Sequence, residues 1–252
     1  MVQNKKEVQS AIEIKPLKSK TISVWIKGNS PFIYNAMSQK VWQQLILPSG
    51  KKTKAEKEQT IKHNPYQEYY NSTYRSILDG LTRLTFPASG FKAAMATAAL
   101  EIPGAKKTQI GRLVWVVGEM VNMYGVPRMK MDIVRCADIN KTPDVRTRAI
   151  VSEWCSKVTI QFVTPTLNET TILNLLEAAG LVIGIGDYRQ EKGKGNYGQF
   201  SVCTESDVKH IIKAGSREQQ DAALKDPEFY DIETEELYRW FNEECVARGV
   251  TL

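Results

Sequence analysis

The 252-residue sequence predicts an α+β fold, a split βαβ or ferredoxin-like antiparallel sheet with helical insertions and a helical C-terminal tail. Three observations predict it. Short segments such as TISVWIKG (21–28) and KVTIQFVTP (157–165) alternate apolar with polar side chains, the period of a half-buried strand. Between them lie segments with helical spacing and boundary signals, FPASGFKAAMATAALEI (86–102) and ETTILNLLEAAG (169–180). The order is strand then helix in the first half and strand, helix, strand in the second, with no internal repeat.

Taken in order, residues 1–20 are polar and lysine-rich and predict a loose arm. In the first strand Ile22, Val24 and Ile26 share one face. AMSQKVWQQLIL (36–47) has helical spacing through Met37, Val41 and Leu45 and stops before Pro48. SGKKTKAEKEQTIKHNP (49–65) loses all periodicity and predicts a lysine-rich insertion. A tyrosine-dense stretch follows, then a helix entered at Pro87 with Ser89 as its cap. RLVWVVGEMVNM (112–123) and KMDIVRCADI (130–139) predict strands. Asn168 caps the next helix, whose Ile172, Leu175, Leu176 and Ala179 make an apolar face closed by Gly180. A strand, a glycine-rich loop and a strand complete the core. The predicted organisation is an arm (1–20), an α+β core (21–205) and an acidic helical tail (206–252) in which ELYRWFNEECV is the clearest helix.

Composition narrows the function classes. The chain is 42% hydrophobic and 25% charged, an ordinary globular balance, with no apolar run long enough for a membrane span and no apolar signal segment at its start. A cytoplasmic protein follows as the expectation. Cys136, Cys155, Cys203 and Cys245 are far apart without CxxC pairing, so the reading is reduced thiols rather than a zinc ribbon or a disulfide scaffold. The formal charge of +6 is uneven, basic between Lys106 and Arg148 and acidic from Arg217 onward, which points to a polyanion partner.

The stretch IGIGDYRQEKGKGNYGQFSV (183–202) carries the functional reading. Gly184, Gly186, Gly193, Gly195 and Gly198 are interleaved with Tyr188, Arg189, Lys192, Lys194 and Tyr197. GKGNYG fits GxGxxG, but a strand pattern follows it where a dinucleotide site requires a helix, so that reading fails. Glycine lets backbone amides approach a phosphate, the cations neutralise phosphates, and the tyrosines can stack on bases. The bland alternative is a hairpin whose glycines permit a tight bend and whose tyrosines anchor it to the core. Arg146 and Arg148 fall on one side of an extended DVRTRAIVSEW, ready for successive phosphates, and Lys92 lies in the first turns of a helix. Each of these has an ordinary surface cation as its alternative.

Cofactor and metal chemistry are not indicated. His63 and His210 have no cysteine or carboxylate at ligand spacing, and no GxSxG, HExxH or phosphate-loop motif occurs. A metal-independent ribonuclease could use Tyr188 or His210 as a base with Lys192 for charge stabilisation. No small-molecule substrate is expected.

FPASGFKAAMATAA resembles the P-x-S-x-x-K-x-A-x-R helix entrance of the RAMP superfamily, the ferredoxin-like proteins that form the backbone of CRISPR effector complexes. GIGDYRQEKGKGNYGQF is similar to that superfamily's glycine-rich loop, and the element order also resembles an uncharacterised family of tailed-phage and prophage proteins. The resemblance implies an RRM-type sheet, single-stranded RNA or DNA as ligand, and head-to-tail self-association along the strand. It carries onto Ser89 and Lys92 and onto the five loop glycines. The family's arginine after the lysine is missing from Ala94–Ala98, and no acid matches its cleavage aspartate, so binding without catalysis is the expectation. A metal-independent endoribonuclease and a phage structural or host-interaction protein are the alternatives.

Overall fold

The structure is a computed structural model and describes residues 16–37, 46, 63–135, 143–192 and 195–249. The predicted helix at 36–47 and the insertion at 49–65 lie outside these residues, apart from Ala36, Met37, Ile46 and the stretch from His63 to Pro65. The arm before Pro16 lies outside them as well.

Two antiparallel sheets organise the chain. The first strand, β1 (Lys18–Gly28), pairs along its length with β9 (Cys155–Thr164), Lys18 opposite Thr164 and Lys27 opposite Cys155. Around this pair a seven-stranded sheet runs in the order β10 (Phe200–Cys203), β1, β9, β6 (Met120–Tyr124), β4 (Leu81–Pro87), β3 (Tyr74–Leu78), with β5 (Val114–Val116) also on β9. A three-stranded sheet holds β2 (Phe32–Ile33), β8 (Pro143–Val151) and β7 (Pro127–Arg135) in the order β2-β8-β7. The fold is α+β with a mostly antiparallel sheet, as the sequence predicts.

Alternation sends Val24, Ile26, Val158, Ile160 and Phe162 to one face of the large sheet, where α2 (Ala88–Ala98) and α4 (Glu169–Ala178) cover them. Phe91, Ala94, Met95, Ile172 and Leu176 close this core. Asn168 caps α4 by accepting from the Thr171 amide at 2.8 Å. The opposite face carries α5 (Glu205–Ala214), and α6 (Arg217–Lys225) follows it along β4 and β7. Val208 and Ile211 of α5 pack on Cys155, with Trp25, Tyr124 and Cys203 around them. Leu224 of α6 belongs to the main core, so this part of the C-terminal region packs into the body of the protein. α7 (Ile232–Ala247) follows and packs along β7.

Four local features differ from the sequence reading, each for a physical reason. Ser89 makes no cap; the helix begins after Pro87, whose fixed φ suits the boundary. Residues 112–123 are not one strand. Lys107–Leu113 form α3, which buries Ile110, and Val117–Glu119 turn through Gly118 at φ +87 between β5 and β6. Gly180 does not end its helix. A π turn continues over Ala179–Ile183, and the missing side chain at 180 lets the Phe200 backbone pass against it. The tyrosine-dense stretch builds α1 (Pro65–Ser72), capped by Asn64, and a hairpin from β3 to β4 whose Asp79 and Gly80 both have positive φ.

Candidate nucleic-acid interface

The pairing register of the small sheet sets the site. Lys130 of β7 lies opposite Arg148 of β8, and Asp132 lies opposite Arg146. Alternation puts these four on one face together with Arg128, while Met129, Met131, Thr147 and Ala149 point into the protein. The sequence reading placed Arg146 and Arg148 on one side of a strand, and the structure does so.

The glycine loop borders this face on the β2 side. The Asp187 amide donates to the Ile33 carbonyl at 2.9 Å, and the Asp187 carboxylate pairs with Arg148. Tyr188, 52% exposed, sits beside Tyr197 with ring centroids 6.1 Å apart. Arg189 donates to the Gly186 carbonyl at 3.1 Å and pairs with Glu191. On the β7 side the segment after α6 lies alongside as a strap. Met129 and Phe229 form a parallel bridge, and the Tyr230 amide donates to the Met129 carbonyl at 2.9 Å. Lys130 lies 5.3 Å from the Tyr230 ring centroid, and Tyr197 has Lys130 and Tyr230 as electrostatic neighbours. Loop and strap thus flank the β7–β8 face on either side, and this flanked face is termed the trough.

Within the loop the main chain is turned inward, which corrects the idea that its amides face a polyanion. The Gly184 amide donates to the Ala179 carbonyl, Ile185 to Gly198 and Gly198 to Pro31, at 2.9, 3.0 and 2.8 Å. A Cβ at Gly186 would lie 2.6 Å from the Ile33 carbonyl oxygen, and one at Gly198 would overlap the Ile185 carbonyl. Gly184, Gly186, Gly195 and Gly198 are buried and serve close backbone packing. Gly193 and Lys194 lie outside the described residues, and Lys192 ends a short 3₁₀ turn. Lys92 is half-buried on α2, which meets the loop through Gly90, Ala93 and Ala94. The cavity between them, about 80 Å³, takes water rather than a ring, since benzene occupies a cavity of roughly 150 Å³.

The floor cations are held by carboxylates. Lys130 lies 3.0 Å from Asp132 and 3.1 Å from Asp231, and Arg128 lies 3.0 Å from Glu228. Burial pulls Lys130 down, but the hydrogen bonds it donates to Asp132 and Asp231 outweigh that and hold its ammonium up at about 12. Burial lowers the Arg148 pKa, with the neighbouring Arg146 adding to the effect. Arg146 is exposed and makes no ion pair among the described residues.

Sequence reasoning missed Lys130, Tyr230 and Asp231, which only the strap brings together. It also missed His63, whose ring nitrogens meet Glu68 at 2.8 Å and Asp144 at 3.1 Å across a sequence gap that spacing does not reveal. His210 is exposed on α5, on the large sheet's second face, whereas Tyr188 belongs to the loop beside the small sheet. No helix among the described residues is long and apolar enough to cross a membrane.

No family model matches the sequence, and no curated protein matches it. Among solved structures, a chain of the Type III-B Cmr-beta complex bound to cognate target RNA is similar over 74% of this chain and 60% of its own, at TM-score 0.39 and 14% identity. Cmr6 from Pyrococcus furiosus is similar over 74% of this chain and 98% of its own, at TM-score 0.37 and 10% identity. Likenesses this slight lend no weight to a choice of ligand.

Proposed function

We propose that this chain binds single-stranded RNA or DNA, without cutting it, along the trough floored by β7 and β8. One observation carries the reading: Lys130 and Arg148 sit opposite each other on a sheet face flanked by the rings of Tyr188, Tyr197 and Tyr230. Cations with neighbouring aromatic rings are the chemistry by which single strands are held, phosphates by charge and bases by stacking at about 1–3 kcal/mol each.

Binding exchanges protein carboxylates for phosphates. A phosphate takes the place of Asp187 on Arg148 and of Asp132 or Asp231 on Lys130, and Arg146 takes a phosphate with no ion-pair partner to displace among the described residues. Arg189, Lys192 and Lys194 add charge along the loop, and Lys92 is secondary. The glycines act indirectly by holding the loop in place.

The test is retention of a labelled homopolymer by the full chain across a salt series, beside an Arg146→Ala, Arg148→Ala double variant. Loss of two phosphate contacts lowers the log–log salt slope by about 1.4 on a single strand, at roughly 0.7 per contact. An unchanged slope with a folded double variant overturns the reading. Cleavage of labelled RNA in the presence of chelator overturns the non-catalytic part and favours a metal-independent endoribonuclease. Self-association along the strand is part of the proposal, with the acidic α7 as the contacting surface. Its Trp240 is 56% exposed, and Glu236, Glu243 and Glu244 lie one turn away on the helix. Sedimentation with and without a long homopolymer checks it.

A further inference from the structure

A second cavity, about 290 Å³, opens where the β6–β7 turn, the β8–β9 turn and the C-terminal end of α5 meet. Val126, Ile211 and Ala214 give it apolar walls, while Arg128, Ser152 and Glu153 supply polar groups. Gly125 keeps the two turns close, because a Cβ there would crowd the Val151 side chain and the Glu153 carbonyl. The volume is about twice that of a cavity that holds benzene and falls just short of ordinary small-molecule sites, so it suits one heterocyclic ring.

Arg128 belongs both to this cavity and to the trough. It lies one alternation before Lys130 on β7, about 6.6 Å along the strand, and its partner Glu228 is exposed. A strand lying on Lys130 and Arg148 therefore reaches the cavity mouth with its next phosphate on Arg128. Inside, the apolar walls suit the face of a base. Ser152 can donate or accept, whereas the exposed Glu153 carboxylate only accepts. An acceptor at the edge favours a ring bearing an exocyclic amine, as in cytosine, over one that presents a carbonyl there, as in uracil.

The geometry points to a base-selective subsite: the cavity holds one amine-bearing base of the strand in the trough, its phosphate on Arg128 and its amine on Glu153. This rests on the proposed function, and the experiment separates the two. Binding of CMP and UMP to the full chain is measured by NMR titration, and binding of oligo-C and oligo-U by retention. Two cavity variants are used. Ala214→Trp fills the space from an exposed position, and Glu153→Gln replaces the carboxylate with an amide that also donates.

CMP is expected to bind about tenfold more tightly than UMP, the difference of one hydrogen bond to a charged group. Ala214→Trp should abolish CMP binding and weaken oligo-C about tenfold, leaving oligo-U and its salt slope unchanged. Glu153→Gln, a surface change, should bring CMP and UMP to parity even if the tryptophan variant fails to fold. Equal binding of CMP and UMP by the native chain, or CMP binding untouched by either variant, overturns the subsite. If the Arg146/Arg148 double variant loses both oligomers while the cavity variants lose neither, only the subsite falls. If no oligomer responds to the double variant while CMP still binds selectively, the trough falls and the cavity stands as a mononucleotide site.

Discussion

Arg148 of β8 is ion-paired with Asp187 of the glycine loop, so the cation that suits a phosphate already has a carboxylate in that place. Both side chains are partly buried, at 23% and 33% exposure, which keeps the pair from being fully screened by solvent. The pair joins the small sheet to the loop and forms part of the trough's charge balance.

Replacing that carboxylate should strengthen ligand binding. In Asp187→Asn the side chain keeps its size and loses its charge, and Arg148 loses its ion-pair competitor for phosphate while Asp132 still acts on it. Ion pairs near the surface are worth up to about 1 kcal/mol, so affinity for a homopolymer should rise by up to about fivefold, with little loss of folding stability. A fall in affinity would mean that Asp187 positions Arg148 rather than competing for it.

Gly198→Ala separates the structural role of the loop glycines from direct ligand contact. The residue has φ +72, and a Cβ there overlaps the Ile185 carbonyl. The strain of a non-glycine residue at positive φ is about 1–2 kcal/mol before the overlap is added. Faster proteolysis near residues 184–198 and a lower urea midpoint are expected. A variant of native stability that had lost only nucleic-acid binding would show that the glycine meets the ligand.

The fold was legible where periodicity was strong. The alternation of 157–165 and the Asn168 cap both appear as read, because one buried face and one capping side chain are local properties. The Asp79–Gly80 hairpin was equally local, and its turn signal went unread beside the tyrosines. The site was legible only in part. Arg146 and Arg148 share a face by strand parity, but their opposition to Asp132 and Lys130 depends on register across a connection that spacing does not define. The loop's colours were visible, yet composition cannot say whether glycine opens the main chain to a ligand or to Ile33, Pro31 and Ile185. Tyr230 and Asp231 reach Lys130 only because Phe229 bridges to Met129.

Gln220 predicts where the C-terminal region is most tightly joined to the sheet. The side chain is fully buried; its oxygen accepts from the Leu84 amide at 2.9 Å, and its nitrogen donates to the Met123 and Gly125 carbonyls, each at 2.9 Å. Arg83 also donates to its oxygen, at 3.2 Å. Gln220→Ala leaves several buried groups without partners, and about 3 kcal/mol of stability should be lost in urea unfolding. Gln220→Glu should be no better near neutral pH, since its second oxygen faces two carbonyls and has no hydrogen to give.

Alkaline pH should weaken the fold, and the sign follows from two groups. Burial pushes the Cys155 thiol up to about 12, from a usual value of 9.0, with Cys203 adding to the rise and Lys27 opposing it. Between those values the unfolded chain releases a proton that the folded chain keeps, so stability falls as pH rises, by at most about 1.4 kcal/mol per pH unit. Lys130, held at about 12 against a usual 10.5, adds stability that is complete below 10.5 and is lost as pH passes through 12. Urea midpoints at successive pH values above 8.5 should therefore decline for the native protein, and Cys155→Ala should make that decline shallower from about 9 to about 12, leaving the share of Lys130 and of the Tyr34 and Tyr69 hydroxyls, which burial also pushes up. The same burial leaves the native Cys155 thiol unreactive to a disulfide reagent at pH 8 and reactive once urea unfolds the chain. Prompt labelling of Cys155 in the native state would mean that α5 does not seal the second face of the sheet.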